Sequence, residues 1–116
     1  HQFGRPIRKF QAVSRRIADM RVFVEALRLA VYRVAWAKDN GRMLNPLQAA
    51  VSKVYAGDRG FEMASEAVLV FGGYGFMHEY PVERNFRDAK LAAIGGGTSD
   101  IMRMIVSRIM LMGAVS

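Results

Sequence analysis

The sequence predicts an all-α fold, an antiparallel four-helix bundle, and three observations carry that reading. Over the first third of the chain, apolar residues recur at alternating steps of four and three, a helical period. Two glycine-rich segments, at 71–76 and 94–100, punctuate further helical patterns. No segment shows the two-residue alternation of a half-buried strand. A chain of 116 residues with such patterns forms one domain, 1–116, around one core.

The first helix has its apolar seam at Val13, Ile17, Met20, Val24, Leu27, Val31 and Val34, with Arg15, Asp19, Arg21, Glu25, Arg28 and Arg33 on its wet flanks. Arg21 and Glu25 stand one turn apart and are placed to pair, worth about 0.2–0.5 kcal/mol on an exposed face. Asn40-Gly41 supplies the left-handed residue that ends a helix. The second helix opens at Asn45, a capping residue, with Pro46 at its first position and Gln48 where a capping box reaches back. Leu47, Val51, Val54, Phe61 and Val68 form its apolar line, interrupted by Asp58 and Ser65. Gly57 and Gly60 each cost about 1 kcal/mol against alanine there, so a closely packed neighbour is expected at them.

Gly72-Gly73-Tyr74-Gly75 ends the second helix near Phe71, and a third, shorter helix covers about 81–93. Thr98, Ser99 and Asp100 suit the start of a fourth, which continues to about Met112. Ile101, Met102, Met104, Ile105, Val106, Ile109, Met110 and Leu111 leave that helix little polar face. Burial nearly all round is therefore expected, by this chain or by another.

Composition excludes several functions. Cysteine is absent, so neither a disulfide framework nor a thiolate metal site can form, and the histidines, His1 and His78, are too few and too far apart for a metal cluster. The formal charge of +7 is spread over every helix without a basic block or an aromatic-interleaved stripe. That pattern suits a solvated surface biased toward an anionic cofactor, not a nucleic-acid platform. The most apolar stretch, 22–37, is broken by Glu25, Arg28 and Arg33, and no leader-like segment opens the chain. No membrane span is expected. His1-Gln2-Phe3-Gly4 is expected to be the interior of a longer polypeptide.

Oriented N–H groups at the glycine segments and at a helix N-terminus suit phosphates or the polar edges of a bound cofactor. On spacing alone, plain helix caps are the favoured reading of both segments. Neither is a nucleotide fingerprint: no strand precedes Gly73-Tyr74-Gly75, His78 stands where a third glycine belongs, and no lysine precedes Thr98. Glu62 and Glu66 lie one turn apart, but with no histidine three residues after either they do not form a di-iron pair and are expected to be solvated. Glu79, Glu83, Arg84, Arg87, Asp88 and Lys90 read as an ion-pair network on and before the third helix.

Four stretches, taken in order, resemble the C-terminal helical domain of the acyl-CoA dehydrogenases, flavoenzymes that desaturate acyl thioesters. They are Phe3-Gly4 with Phe10-Gln11-Ala12-Val13; Ile17-Ala18-Asp19-Met20; residues 67–76 with Glu79-Tyr80-Pro81-Val82-Glu83-Arg84 and Arg87-Asp88-Ala89-Lys90; and residues 94–101. The resemblance implies a subunit with an N-terminal helical domain, a middle β-domain and this bundle, here lacking the bundle's first helix. It implies FAD as cofactor, an acyl-CoA substrate, an electron-transfer flavoprotein or similar acceptor, and a homo-oligomer, tetrameric in full-length form. The implied location is cytoplasmic, or the mitochondrial matrix in a eukaryote. The family's FAD contacts carry over to Gln2, Phe3, Phe10 and Gln11, to Leu69, Gly72 and Gly73, and to Thr98 and Asp100. Gly96 and Gly97 fall beside the substrate.

Three departures bear on activity. An arginine that in the family stands three residues before the position of Phe3, and helps hold a neighbouring subunit's FAD, would precede His1. Leu69 replaces a glutamine found in many members, so a side-chain amide contact to the cofactor is lost. Gly96 stands where most members carry the glutamate that removes the α-proton of the thioester, and glycine cannot be a base. A minority of members, isovaleryl and long-chain types among them, share that glycine and take the glutamate from the preceding helix; Asp100 points the same way, since such members usually carry an acid there. The resemblance thus implies an active dehydrogenase whose base lies upstream. A non-catalytic dehydrogenase-like subunit is the second reading, and a basic helical binding module the third.

Overall fold

The computed structural model describes residues 1–43 and 45–113. Helix ends fall where local chemistry requires them. Helix α1, Gln11–Asp39, stops in a double hydrogen-bonded cap: Gly41 turns left-handed at φ 63°, its N–H donates to the Lys38 carbonyl, and the Arg42 N–H donates to that of Ala37. Helix α2, Pro46–Phe71, begins with the Asn45 side chain accepting from the Leu47 N–H at 3.0 Å and with Pro46 in the first turn. It runs into a 3₁₀ turn at Gly72–Phe76, after Gly72 reverses the backbone at φ 60°. Helix α3 covers Pro81–Ile94 and α4 covers Ser99–Gly113. A short 3₁₀ turn, Ile7–Lys9, precedes α1. The all-α expectation holds, with helix bounds within a residue or two of those read from the pattern.

Helix α2 is the axis on which α1, α3 and α4 each pack. Phe23 against Tyr55 (ring centroids 5.4 Å apart) and the Arg16–Glu66 ion pair show α1 antiparallel to α2. Phe61 against Phe86 at 5.0 Å, and Gly57 against Ala93, show the same for α3. Gly57 supplies the close approach expected of it: a Cβ there would lie 3.0 Å from Ala93 Cα and 3.1 Å from the Ala92 carbonyl oxygen. Gly60 admits the Phe23 ring, whose Cζ would be 3.6 Å from an added Cβ.

The core is small. Phe23, Ala50, Met63 and Val82 are its buried apolar residues, and no described side chain is fully enclosed. The radius of gyration is 17.8 Å over 63 × 28 × 23 Å, against about 13 Å for a compact domain of this length. Two expectations change accordingly. On α1 the covered line is Val13, Arg16, Met20, Phe23, Leu27, Ala30 and Val34, whereas Ile17, Val24 and Val31 of the anticipated seam face outward. The apolar stripe is wider than the surface α2 offers, and the large Phe23 ring sets which edge docks. Helix α4 is not buried all round: Ile101, Met104, Met110 and Leu111 are exposed, because α2 is the helix it packs on.

Candidate functional site

The residues singled out from the sequence fall into two groups at different levels of α2. In the first, Gln2 and Arg5 exchange backbone hydrogen bonds of 3.0 and 3.2 Å around Phe3 (φ 53°) and Gly4 (φ 74°), a turn with two left-handed corners. A non-glycine residue in that region costs roughly 1–2 kcal/mol. Phe3 nonetheless holds it while 91% exposed, its ring edge-on to Phe10 with centroids 6.2 Å apart. The Arg5 guanidinium lies 4.1 Å from the centre of the Phe10 ring, and Phe10 and Gln11 form the start of α1.

Antiparallel packing places that start level with the end of α2. Here Leu69 is exposed, and a Cβ on Gly72 or Gly73 would meet nothing within 4 Å. Gly72 needs its freedom for the backbone sense, while the space around both is open to an approaching group. Gly75 is glycine for the opposite reason: a Cβ would sit 2.6 Å from the Val68 carbonyl oxygen.

The second group lies about 22 Å back along α2, the rise of the fifteen residues from Gly57 to Gly72. After α3, Gly96 (φ 66°) and Gly97 (φ 98°) take left-handed conformations and lead to Thr98, whose Oγ1 accepts from the Ile101 N–H at 3.3 Å. The N–H groups of Ser99 and Asp100 belong to the first turn of α4 and have no intrahelical acceptor. Around them stand side chains whose mutual contacts the sequence pattern does not reveal. Lys53 donates to the Ala92 carbonyl, the Ser99 hydroxyl donates to Asp58 Oδ1 at 2.8 Å, and Arg103 donates to Asp58 Oδ2. The signal for Asp58 was present, as a carboxylate interrupting an apolar line beside a closely packed glycine.

These contacts fix the electrostatics. The Ser99 hydroxyl and then Arg103 hold the Asp58 carboxyl below its ordinary range, outweighing its partial burial. Asp58 is therefore ionised, occupied and a poor base. Asp100 is exposed and stands 3.7 Å from Arg103. No carboxylate among the described residues is poised at Gly96, whose nearest neighbour for an added Cβ is Lys53 Cε at 3.9 Å.

Two sequence expectations need correction at the charged surface. The network expected on and before α3 reduces to His78, Glu83 and Arg87: Arg87 pairs with Glu83 at 2.5 Å and pulls its carboxyl down, and His78 Nδ1 lies 3.3 Å away. Lys90 instead sits 4.6 Å over the Phe61 ring. Glu66 is not simply solvated; it is half-buried against Arg16 of α1, whereas Glu62 is exposed and pairs with Arg59 on its own helix.

The order of these elements, two glycine loops hung on one long helix, is matched over residues 1–111 by the family model described as acyl-CoA dehydrogenase, C-terminal domain. The chain belongs to that family. An acyl-CoA dehydrogenase of Bacillus subtilis is 43% identical over 112 residues, covering 97% of this chain and 29% of its own length. The solved structure of butyryl-CoA dehydrogenase from Megasphaera elsdenii superposes with a TM-score of 0.90 at 41% identity, over 96% of this chain and 29% of that one. The FAD complex of PigA matches with a TM-score of 0.87 at 33% identity, over 95% of this chain and 28% of that one. This acyl-CoA dehydrogenase C-terminal domain thus spans under a third of the length of its matched relatives. No helix among its described residues is long and apolar enough to cross a membrane.

Proposed function

We propose that residues 1–116 are the C-terminal, cofactor- and subunit-contacting domain of an FAD-dependent acyl-CoA dehydrogenase whose catalytic base comes from outside this chain. The observation that carries the reading is Gly96: a family member with glycine where most have the base, and no carboxylate among the described residues within 4 Å of where its Cβ would stand. An α-proton next to a thioester is weakly acidic, so a carboxylate must be held close to it. Bound FAD supplies the hydride acceptor for the β-carbon. This chain contributes contact and shape. Phe3 offers an exposed ring edge-on to Phe10, Gln2 and Gln11 flank these two aromatics in the chain, and at the end of α2 the exposed Leu69 stands before Gly72 and Gly73, which leave backbone open to approach. The N–H groups at Thr98 and Asp100 suit the polar edge of the flavin, and Gly96 and Gly97 leave room for the acyl group.

Acyl-CoA is the substrate on this reading, an electron-transfer flavoprotein or similar carrier takes the electrons, and the subunit works as a homotetramer in the cytoplasm or the mitochondrial matrix. The test is Gly96→Glu in the full-length subunit, assayed by steady-state turnover with a ferricenium-type acceptor. A side chain at φ 66° is strained, and the new carboxylate would lie beside Lys53, which lowers its basicity. Activity falls, most for bulky acyl groups. An inactive parent that gains turnover on Gly96→Glu would instead establish a base-less binding subunit, the second reading.

A further inference from the structure

Between α3 and α4 the chain runs through Gly95, Gly96 and Gly97 with no side chain before Thr98 to hold it, and two of the three are left-handed. Such a segment has high backbone freedom, so its shape is set at its ends. At the α3 end, Lys53 holds the Ala92 carbonyl. At the α4 end, both oxygens of Asp58 are engaged, one by the buried Ser99 hydroxyl at 2.8 Å and the other by Arg103, one turn further along the same helix. Beside them Gly57 brings the α2 backbone so near that a Cβ would lie 3.1 Å from Ser99 Oγ. Of the other charged groups here, Asp100 faces Arg103 and Lys90 adds a distant attraction to Asp58.

We propose that Asp58 is a positioning residue for the 95–98 loop: by gripping Ser99 and Arg103 it sets the register of α4 on α2, and through it the place of Thr98 and the first-turn N–H groups. A slide of α4 by one residue, about 1.5 Å along the axis with a rotation of about 100°, breaks both contacts at once. The proposal rests on reading this loop as the segment that meets flavin and thioester, where a misplacement of about 1 Å can cost about a hundredfold in rate.

The experiment compares wild type, Asp58→Ala and Asp58→Asn in the full-length subunit by amide hydrogen exchange, FAD content and steady-state kinetics. In Asp58→Ala, exchange at 96–101 rises about tenfold or more while α1 stays protected. FAD is retained, KM stays within about threefold, and kcat falls about tenfold. Asp58→Asn, which keeps an acceptor for Ser99 but not the charge for Arg103, recovers part of both losses. Wild-type exchange at 96–101 in Asp58→Ala overturns the proposal, as does acceleration spread equally over all helices or an unchanged kcat. A wild-type subunit that takes up no FAD removes the cofactor reading alone, and the exchange data still decide the role of Asp58.

Discussion

Gly57 and Gly60, three residues apart on α2, should respond to the same substitution with opposite signs. Alanine gains about 1 kcal/mol over glycine in a helix interior at either position. At Gly57 the new methyl arrives 3.0 Å from Ala93 Cα, 3.1 Å from the Ala92 carbonyl oxygen and 3.1 Å from Ser99 Oγ. Two of those three atoms are backbone and cannot rotate aside, so α3 must move outward. Overpacking of this kind costs about 1–3 kcal/mol, which cancels or exceeds the propensity gain and leaves Gly57→Ala destabilised by about 1 kcal/mol. At Gly60 the nearest atom is Phe23 Cζ at 3.6 Å, an ordinary contact. There the propensity gain survives, and Gly60→Ala is stabilised by about 0.5–1 kcal/mol. Thermal unfolding of the full-length subunit gives the signs, and hydrogen exchange along α3 locates the strain. A Gly57→Ala midpoint at or above that of Gly60→Ala would refute the close-approach argument.

Further outcomes follow from the same geometry. The 116-residue chain on its own is expected to bind FAD weakly and to desaturate no acyl-CoA, because no described carboxylate serves as base at Gly96; acceptor-linked turnover by the purified fragment would contradict this. That fragment should also self-associate, since Ile101, Met104, Met110 and Leu111 of α4 and Ile17, Val24 and Val31 of α1 face solvent. Sedimentation velocity showing a monomer at high micromolar concentration is the opposing result. Asp58 is depressed in the folded state, so its link is present in full above the unfolded carboxylate value of about 3.9 and is lost as pH falls through the lower folded value. The stability gap between wild type and Asp58→Asn should therefore be widest near neutrality and close below about pH 4; a gap independent of pH would argue against the ion pair.

Helix ends were legible in the sequence because each is decided by a few adjacent residues. Asn40-Gly41 closes α1, Asn45-Pro46 opens α2 and Thr98 opens α4, in each case through bonds to a backbone within reach of the same turn. Faces were less legible. The stripe on α1 is wide enough for two docking edges, and the choice of Phe23 over Val24 depends on a gap at Gly60 that lies 37 positions away in the chain. The candidate site divides along the same line. Glycine segments announce themselves by composition, whereas the Asp58–Ser99 contact joins residues 41 apart and gives no local sign beyond a misplaced charge. What covers α4 was not legible either, because an apolar composition records what a helix could cover, not what this chain has available to cover it.

The arrangement of three helices on one axis also bears on how this domain can vary. Helices α1, α3 and α4 meet α2 on separate seams and have almost nothing between themselves. Substitutions in different seams share no partners, so their energetic effects should add, while those within a seam should couple. Each seam can then be repacked by a few matched changes without reference to the other two. A residue of α2 that faces two seams at once, as Gly57 does between Ala93 of α3 and Ser99 of α4, answers to more than one neighbour, and its tolerance should be the narrowest among the described residues.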